Sequence, residues 1–266
     1  MGVIVSNIIA IYRRELQSYF ASPFAYIIAA VFWLLSGFFF VAILLGPEGL
    51  LAQVAVRDQM GVTEPPIDIP YQFLNLFLGV LGSLTLFVLP MLSMGLYTEE
   101  RKRGTLELLA TSPITNWAVA LGKLLGVITF FIAMVLPLMV YESIALSAAN
   151  PPVQPTVMIL GHFALILLGA AILSLGMFIS SLTDSTILAA ILTFALILLL
   201  WVIDLVATNL GGGIGDALSH LSLVKNYTNL TQGIFDSSSI IVFISYIILG
   251  LFLTAQSIEA FRFQRS

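Results

Sequence analysis

Six stretches of this chain are apolar for long enough to cross a bilayer, and the charges are gathered mostly in the gaps between them. No Asp, Glu, Lys or Arg occurs between Glu15 and Glu48, between Asp68 and Glu99, or between Glu142 and Asp184. Each interval exceeds the ~20 apolar residues that a transmembrane helix needs. The pattern predicts spans at about Phe24–Leu45, Tyr71–Leu96, Trp117–Tyr141, Thr156–Ser180, Ile187–Val206 and Ile240–Ala260. Pro90 and Pro137 fall inside spans two and three. They predict kinks rather than helix ends, because neighbouring helices can re-satisfy the backbone groups a proline frees. Gly122 and Gly126 form a small-xxx-small pair that lets another helix approach span three closely.

Two further segments are amphipathic without being long enough to span. Over residues 8–22, Ile8, Ile9, Tyr12, Leu16, Tyr19 and Phe20 share one helical face, while Arg13, Arg14, Gln17 and Ser18 share the other. This predicts an interfacial helix with its apolar face in the acyl boundary, ended by Ser22-Pro23. Residues 207–239 begin with the turn-rich GGGIG (211–215) and continue with Leu218, Leu221, Val224, Tyr227, Leu230 and Ile234 at helical spacing. They predict one or two short helices dipping into the opposite interface.

Composition agrees: 59% of the 266 residues are hydrophobic and 9% charged, against about 25% charged in a soluble domain. The absence of cysteine excludes disulfides and thiolate chemistry. Two distant histidines leave no basis for a metal site, so none is expected. There is no basic face for nucleic acid, and no Gly-x-Ser-Gly nucleophile with a partnered histidine for an intramembrane protease. Eight of the ten basic residues fall on the side of both termini. By the positive-inside rule, the termini are expected in the cytoplasm.

One charged island interrupts the apolar pattern. YTEERKRGTLELLATSP, Tyr97–Pro113, holds six of the twenty-four charged residues and falls in the loop between spans two and three. Glu99 and Glu100 are read as lying early in it, where acids suit a helix N-terminus. Gly104 breaks the span-two helix. Thr105 is read as the N-cap of a short helix carrying Leu106, Leu108 and Leu109. A basic cluster here could simply set topology. The leucines of a short capped helix also suit a groove on a soluble partner.

The stretch EERKRGTLELLATSPITNWAVALGK, Glu99–Lys123, resembles the signature region of ABC-2-type permeases, the membrane subunits of a class of ABC exporters. The Tyr12-Arg13-Arg14-Glu15-Leu16 helix before span one, the six spans, and LSLVKNYTNLTQGIFD (221–236) before the last span extend the likeness over most of the chain. Among subgroups it is most similar to the gliding-motility-associated permeases, then to the nitrous-oxide-reductase maturation permeases. The resemblance implies an all-α, type V exporter-like membrane fold in a single permease domain. It implies a connecting helix at 8–22, a cytoplasmic coupling helix at 99–113 and a re-entrant segment at 207–239. Glu99, Glu100, Arg101, Arg103, Gly104, Thr105, Leu106, Glu107 and Leu108 would dock a separate ATP-binding subunit, with Asp184 as a second contact. Two permease copies, or this chain and a related permease, would face each other through spans one and five. An accessory outer-side protein would be a further partner.

No ATPase motif is present in the chain itself. Gly122-Lys123 is followed by Leu124 and lacks the upstream glycine of a phosphate-cradling loop. ATP and Mg are therefore expected in the partner subunit, with no cofactor in this one. Candidates for a pathway or outer gate are Phe39, Glu142, His162, Asp204 and Tyr227. The three ionisable groups are read as lying near the outer interface, where burial costs less than the about 2.5–3.5 kcal/mol of mid-membrane. A Glu142–His162 pair is one reading of them. The Phe38-Phe39-Phe40 cluster with Trp33 lines a pathway or packs against lipid. The competing functions are an ion-coupled secondary transporter, which needs mid-membrane coupling groups and usually repeats, and a scaffold driven by an ATPase without transport.

Overall fold

A computed structural model describes residues 2–61, 68–105, 114–147, 149, 154–210 and 212–263. Among these residues the chain is all-α. The helices are α1 (Gly2–Ala21), α2 (Pro23–Leu45), α3 (Leu50–Gln59), α4 (Ile69–Ser93), α5 (Gly95–Lys102) and α6 (Asn116–Leu146). They continue with α7 (Pro155–Leu182), α8 (Thr186–Leu210), α9 (Gly212–Leu221), α10 (Leu223–Thr231) and α11 (Ser237–Phe263). Six helical runs are long and apolar enough to cross a membrane, as the charge-free intervals predict. They put both termini on one side, called here the near side. Helix α3 lies in what the sequence reads as a loop; its polar residues gave no span-like signal.

Helix α7 is the centre of the bundle. Its most apolar stretch is 72% buried, against 22% for span one and 17% for span five. Glycines let its neighbours close in: a Cβ at Gly161, Gly169 or Gly176 would collide with Leu78, Phe131 or Ser93. Without a hydrophobic drive between helices in lipid, such close backbone approach is what holds a bundle together. Aromatic side chains fill the far half, where Phe40 meets Phe73, Phe77 and Tyr141 edge-on at 4.9–5.5 Å. The Trp33 indole N–H of α2 donates to the Met134 carbonyl of α6 at 2.8 Å, one turn before Pro137.

Gly122 and Gly126 do receive a helix, but it is α1 and not another span. A Cβ at Gly122 would lie 2.8 Å from Ile11, and one at Gly126 2.8 Å from Glu15. The inward face of α1 is Ile8, Ile11, Glu15, Leu16 and Tyr19, while Ile9 and Phe20 are exposed. Ser22 caps α2, its hydroxyl accepting from the Ala25 N–H at 3.4 Å.

Candidate functional site: the joint between α4 and α5

Pro90 cannot donate to the helix ladder, and one turn later the span-two helix breaks at Met94. Beyond it, α5 carries the first half of the charged island. A helix break inside a bundle exposes backbone groups that must be satisfied elsewhere. Side chains from three other helices do this. The Tyr19 hydroxyl of α1 donates to the Leu92 carbonyl at 2.7 Å. Ser180 of α7 accepts from the Tyr97 and Thr98 N–H groups at 2.9 and 3.1 Å and donates to the Met94 carbonyl at 3.0 Å. It acts as an N-cap supplied by a different helix.

The third contributor is Lys123 of α6, 4% exposed. Its ammonium has three protons and three oxygen partners: the Leu96 carbonyl at 2.8 Å, Glu100 Oε1 at 3.0 Å and Glu15 Oε2 at 3.2 Å. It also lies 5.1 Å from the centre of the buried Tyr97 ring. One cation thus ties α1, α5 and α6 together. Two carboxylates share it, and burial pushes the Glu15 carboxyl above its usual range. Lys123 opposes that shift, and the neighbouring Glu100 adds to it. A fourth tie runs from Arg101, whose guanidinium donates to the Ser181 carbonyl at 2.7 Å, at the turn that carries the exposed Asp184.

These positions correct parts of the sequence reading. Glu99 and Glu100 lie in the closing turns of α5, not at a helix start. The Thr105 hydroxyl donates to the Glu100 carbonyl at 3.2 Å and its N–H to the same carbonyl at 2.9 Å. It therefore closes α5, and the helix expected to start at Thr105 lies outside the described residues. Gly104 ends α5 with φ +70°, as its place in the island predicts. Glu99 and Arg103 form an exposed i,i+4 pair at 3.5 Å. Leu106, Glu107 and Leu108 lie outside the described residues. Arg13 and Arg14 are exposed and Tyr12 half-buried.

Lys123, one of the eight basic residues on the side of the termini, is the hub of this site. The signal was present: it is the one charged residue between Glu107 and Glu142. A small cleft of about 120 Å³ opens beside the joint, lined by Glu15, Ser18, Tyr19, Met94, Glu99 and Thr186 among others.

On the far half, Glu142 and His162 do meet, 3.3 Å apart. Both are fully enclosed by protein, Glu142 one turn before α6 ends at Leu146 and His162 two turns into α7. Tyr227 of α10 is buried too. Its hydroxyl donates to the Leu78 carbonyl at 2.6 Å, and its ring occupies the notch at Gly82. Phe39 is half-buried against Phe38, 5.4 Å between ring centres. The Asp204 side chain lies outside what is described. A second cleft, about 320 Å³, separates α4, α8 and α10; Asn75, Gly79, Ser83, Trp201, Thr228 and Gln232 are among its walls, and none of its described lining residues is charged.

Residues 9–266 match the family model of the ABC-2 family transporter proteins. The chain belongs to that family. An ABC-2 chain is the membrane subunit of a transporter and works with an ABC ATP-binding partner, so six spans without an ATPase motif are what this member requires. The comparison with curated proteins gave no match.

Proposed function

We propose that this ABC-2 subunit docks its ATP-binding partner through the island that begins in α5, residues 99–113, with Asp184 as a second contact. The observation carrying this is the joint. A charged helix on the near side is fastened at its root to α1, α6 and α7 through Tyr19, Lys123, Ser180 and Arg101. A push on α5 is therefore delivered to three helices at once, which suits rigid-body switching of the bundle.

A second copy faces this one across spans one and five, whose apolar stretches are the least buried of the six. The cleft between α4, α8 and α10, uncharged among its described lining residues, lies on the pathway, and the part of the cargo that passes those residues is uncharged. The termini lie in the cytoplasm of a bacterial plasma membrane, α1 is the connecting helix, α9 and α10 form the re-entrant segment, and transport is outward. Within the family, the Glu99–Lys123 motif favours the gliding-motility-associated subgroup. The test is purification of the tagged chain from its native membrane in mild detergent. A stoichiometric ATP-binding subunit that is lost on Glu107→Lys supports the docking reading. A chain that emerges alone, or a partner indifferent to that substitution, removes it.

A further inference from the structure

The far-side pair has a proton count that its geometry dictates. His162 Nδ1 lies 2.9 Å from the Met158 carbonyl. A carbonyl oxygen can only accept, so Nδ1 carries a proton. That leaves Nε2 facing Glu142 Oε1 at 3.3 Å. The approach is within ion-pair distance but short of well-formed hydrogen-bond geometry. Neither atom, nor Glu142 Oε2, has another partner among the described residues.

With no proton in this contact, a bare carboxylate would face a lone pair in an apolar interior. With two, an imidazolium would be buried without a counter-charge. Either state costs several kcal/mol. One proton, on Oε1 or on Nε2, leaves the pair neutral overall.

No neighbouring group relieves it. Burial, and then the Glu142 carboxyl, push the Tyr227 phenol well above its ordinary range, and its hydroxyl is already committed to Leu78. The Tyr141 hydroxyl, next to Glu142 on α6, is buried without a partner among the described residues. Spans one and two carry no charge, α7 carries none after His162, α11 carries none before Glu259, and Lys225, the one charged residue of α10, is engaged by the Ser219 hydroxyl.

We propose that the Glu142–His162 contact is a binding site for a single proton, and that the far ends of α6 and α7 part only when that proton is exchanged. Parting them with the proton in place strands a charge or a polar group on each helix. Acid on the far side adds a second proton, neutralises the carboxylate, leaves the imidazolium unpaired and loosens the contact. The site does not rest on the docking reading, and its test needs no ATP-binding subunit.

The chain has two histidines, so His220→Gln leaves His162 as the only one. In nanodiscs, nitrogen NMR of labelled histidine reads the ring, and infrared difference spectra against Glu142→Gln read the carboxyl. One proton at neutral pH appears as an imidazolium with an ionised Glu142. It appears equally as a neutral Nδ1–H ring with a carboxylic acid band that Glu142→Gln abolishes. A count of zero or two overturns the site. Hydrogen exchange at the far ends of α6 and α7 reads the latch. Corrected for the intrinsic pH dependence of amide exchange, opening should rise several-fold as the pH is lowered in the unsubstituted chain, and stay flat in Glu142→Gln/His162→Asn. An equal response in both overturns the latch.

Discussion

The two buried charge clusters of this bundle are built on opposite principles. On the near side, Lys123 has an oxygen for each of its three protons, and the cluster spans three helices. On the far side, Glu142 and His162 have one contact between them, and its own atoms are unpartnered among the described residues, whereas the unpartnered Glu100 Oε2 and Tyr97 hydroxyl of the near side lie beside a fully paired cation. The first is a fixed fastening that no single proton can undo. The second holds or fails with one proton. The difference suits their places: the near cluster roots a helix that must transmit force, while the far cluster joins two helix ends.

The comparison breaks most readily at the hub. Lys123→Met strands two largely buried carboxylates and should cost up to about 3–5 kcal/mol, seen as a loss of folded yield and a fall in thermal midpoint in nanodiscs. Glu142→Gln, which keeps a neutral partner for His162, should cost clearly less; a larger loss there would invert the comparison. Next comes Ser180→Ala, which leaves the Tyr97 and Thr98 N–H groups without their acceptor. It should cost about 1–3 kcal/mol and raise hydrogen exchange in α5 before the spans respond.

Glu15→Gln sharpens the picture through pH. The folded-state value of Glu15 is raised, so the native state binds its proton more tightly than the unfolded chain does. That contribution is complete below the ordinary carboxylate range and is lost as pH rises through the raised value. Stability should therefore fall over that window in the unsubstituted chain, and the slope should be shallower in Glu15→Gln. Arg103→Ala should do least. Its pair with Glu99 is exposed at both ends, and removing it should shift stability by at most about 0.2–1 kcal/mol.

The spans were legible because lipid leaves the backbone no other solution: every polar group must be satisfied internally, so length and apolarity alone point to a helix. Gly104 was legible for a related reason, since a glycine after a charged helix invites the left-handed turn found there. The partners were not legible. Gly122 and Gly126 announce a close approach without saying whose, and the answer is α1. Lys123 looks like any cytoplasmic lysine until Glu15 and Glu100, remote in sequence, are folded around it. The enclosure of Glu142 was not legible because it depends on what packs beside α6, which is a property of the bundle and not of the segment.

The fastening also imposes an order on biogenesis. Glu15 and Lys123 are 108 residues apart, and translation at roughly 5–20 residues per second separates them by about 5–20 s. Through that interval α1 has neither its glycine seam nor its cation. It must wait at the membrane surface, carboxylate in water, while spans one and two insert ahead of it. The first helix made is thus locked in place only once span three is made, and the joint is complete later still, when Ser180 and Ser181 of α7 arrive.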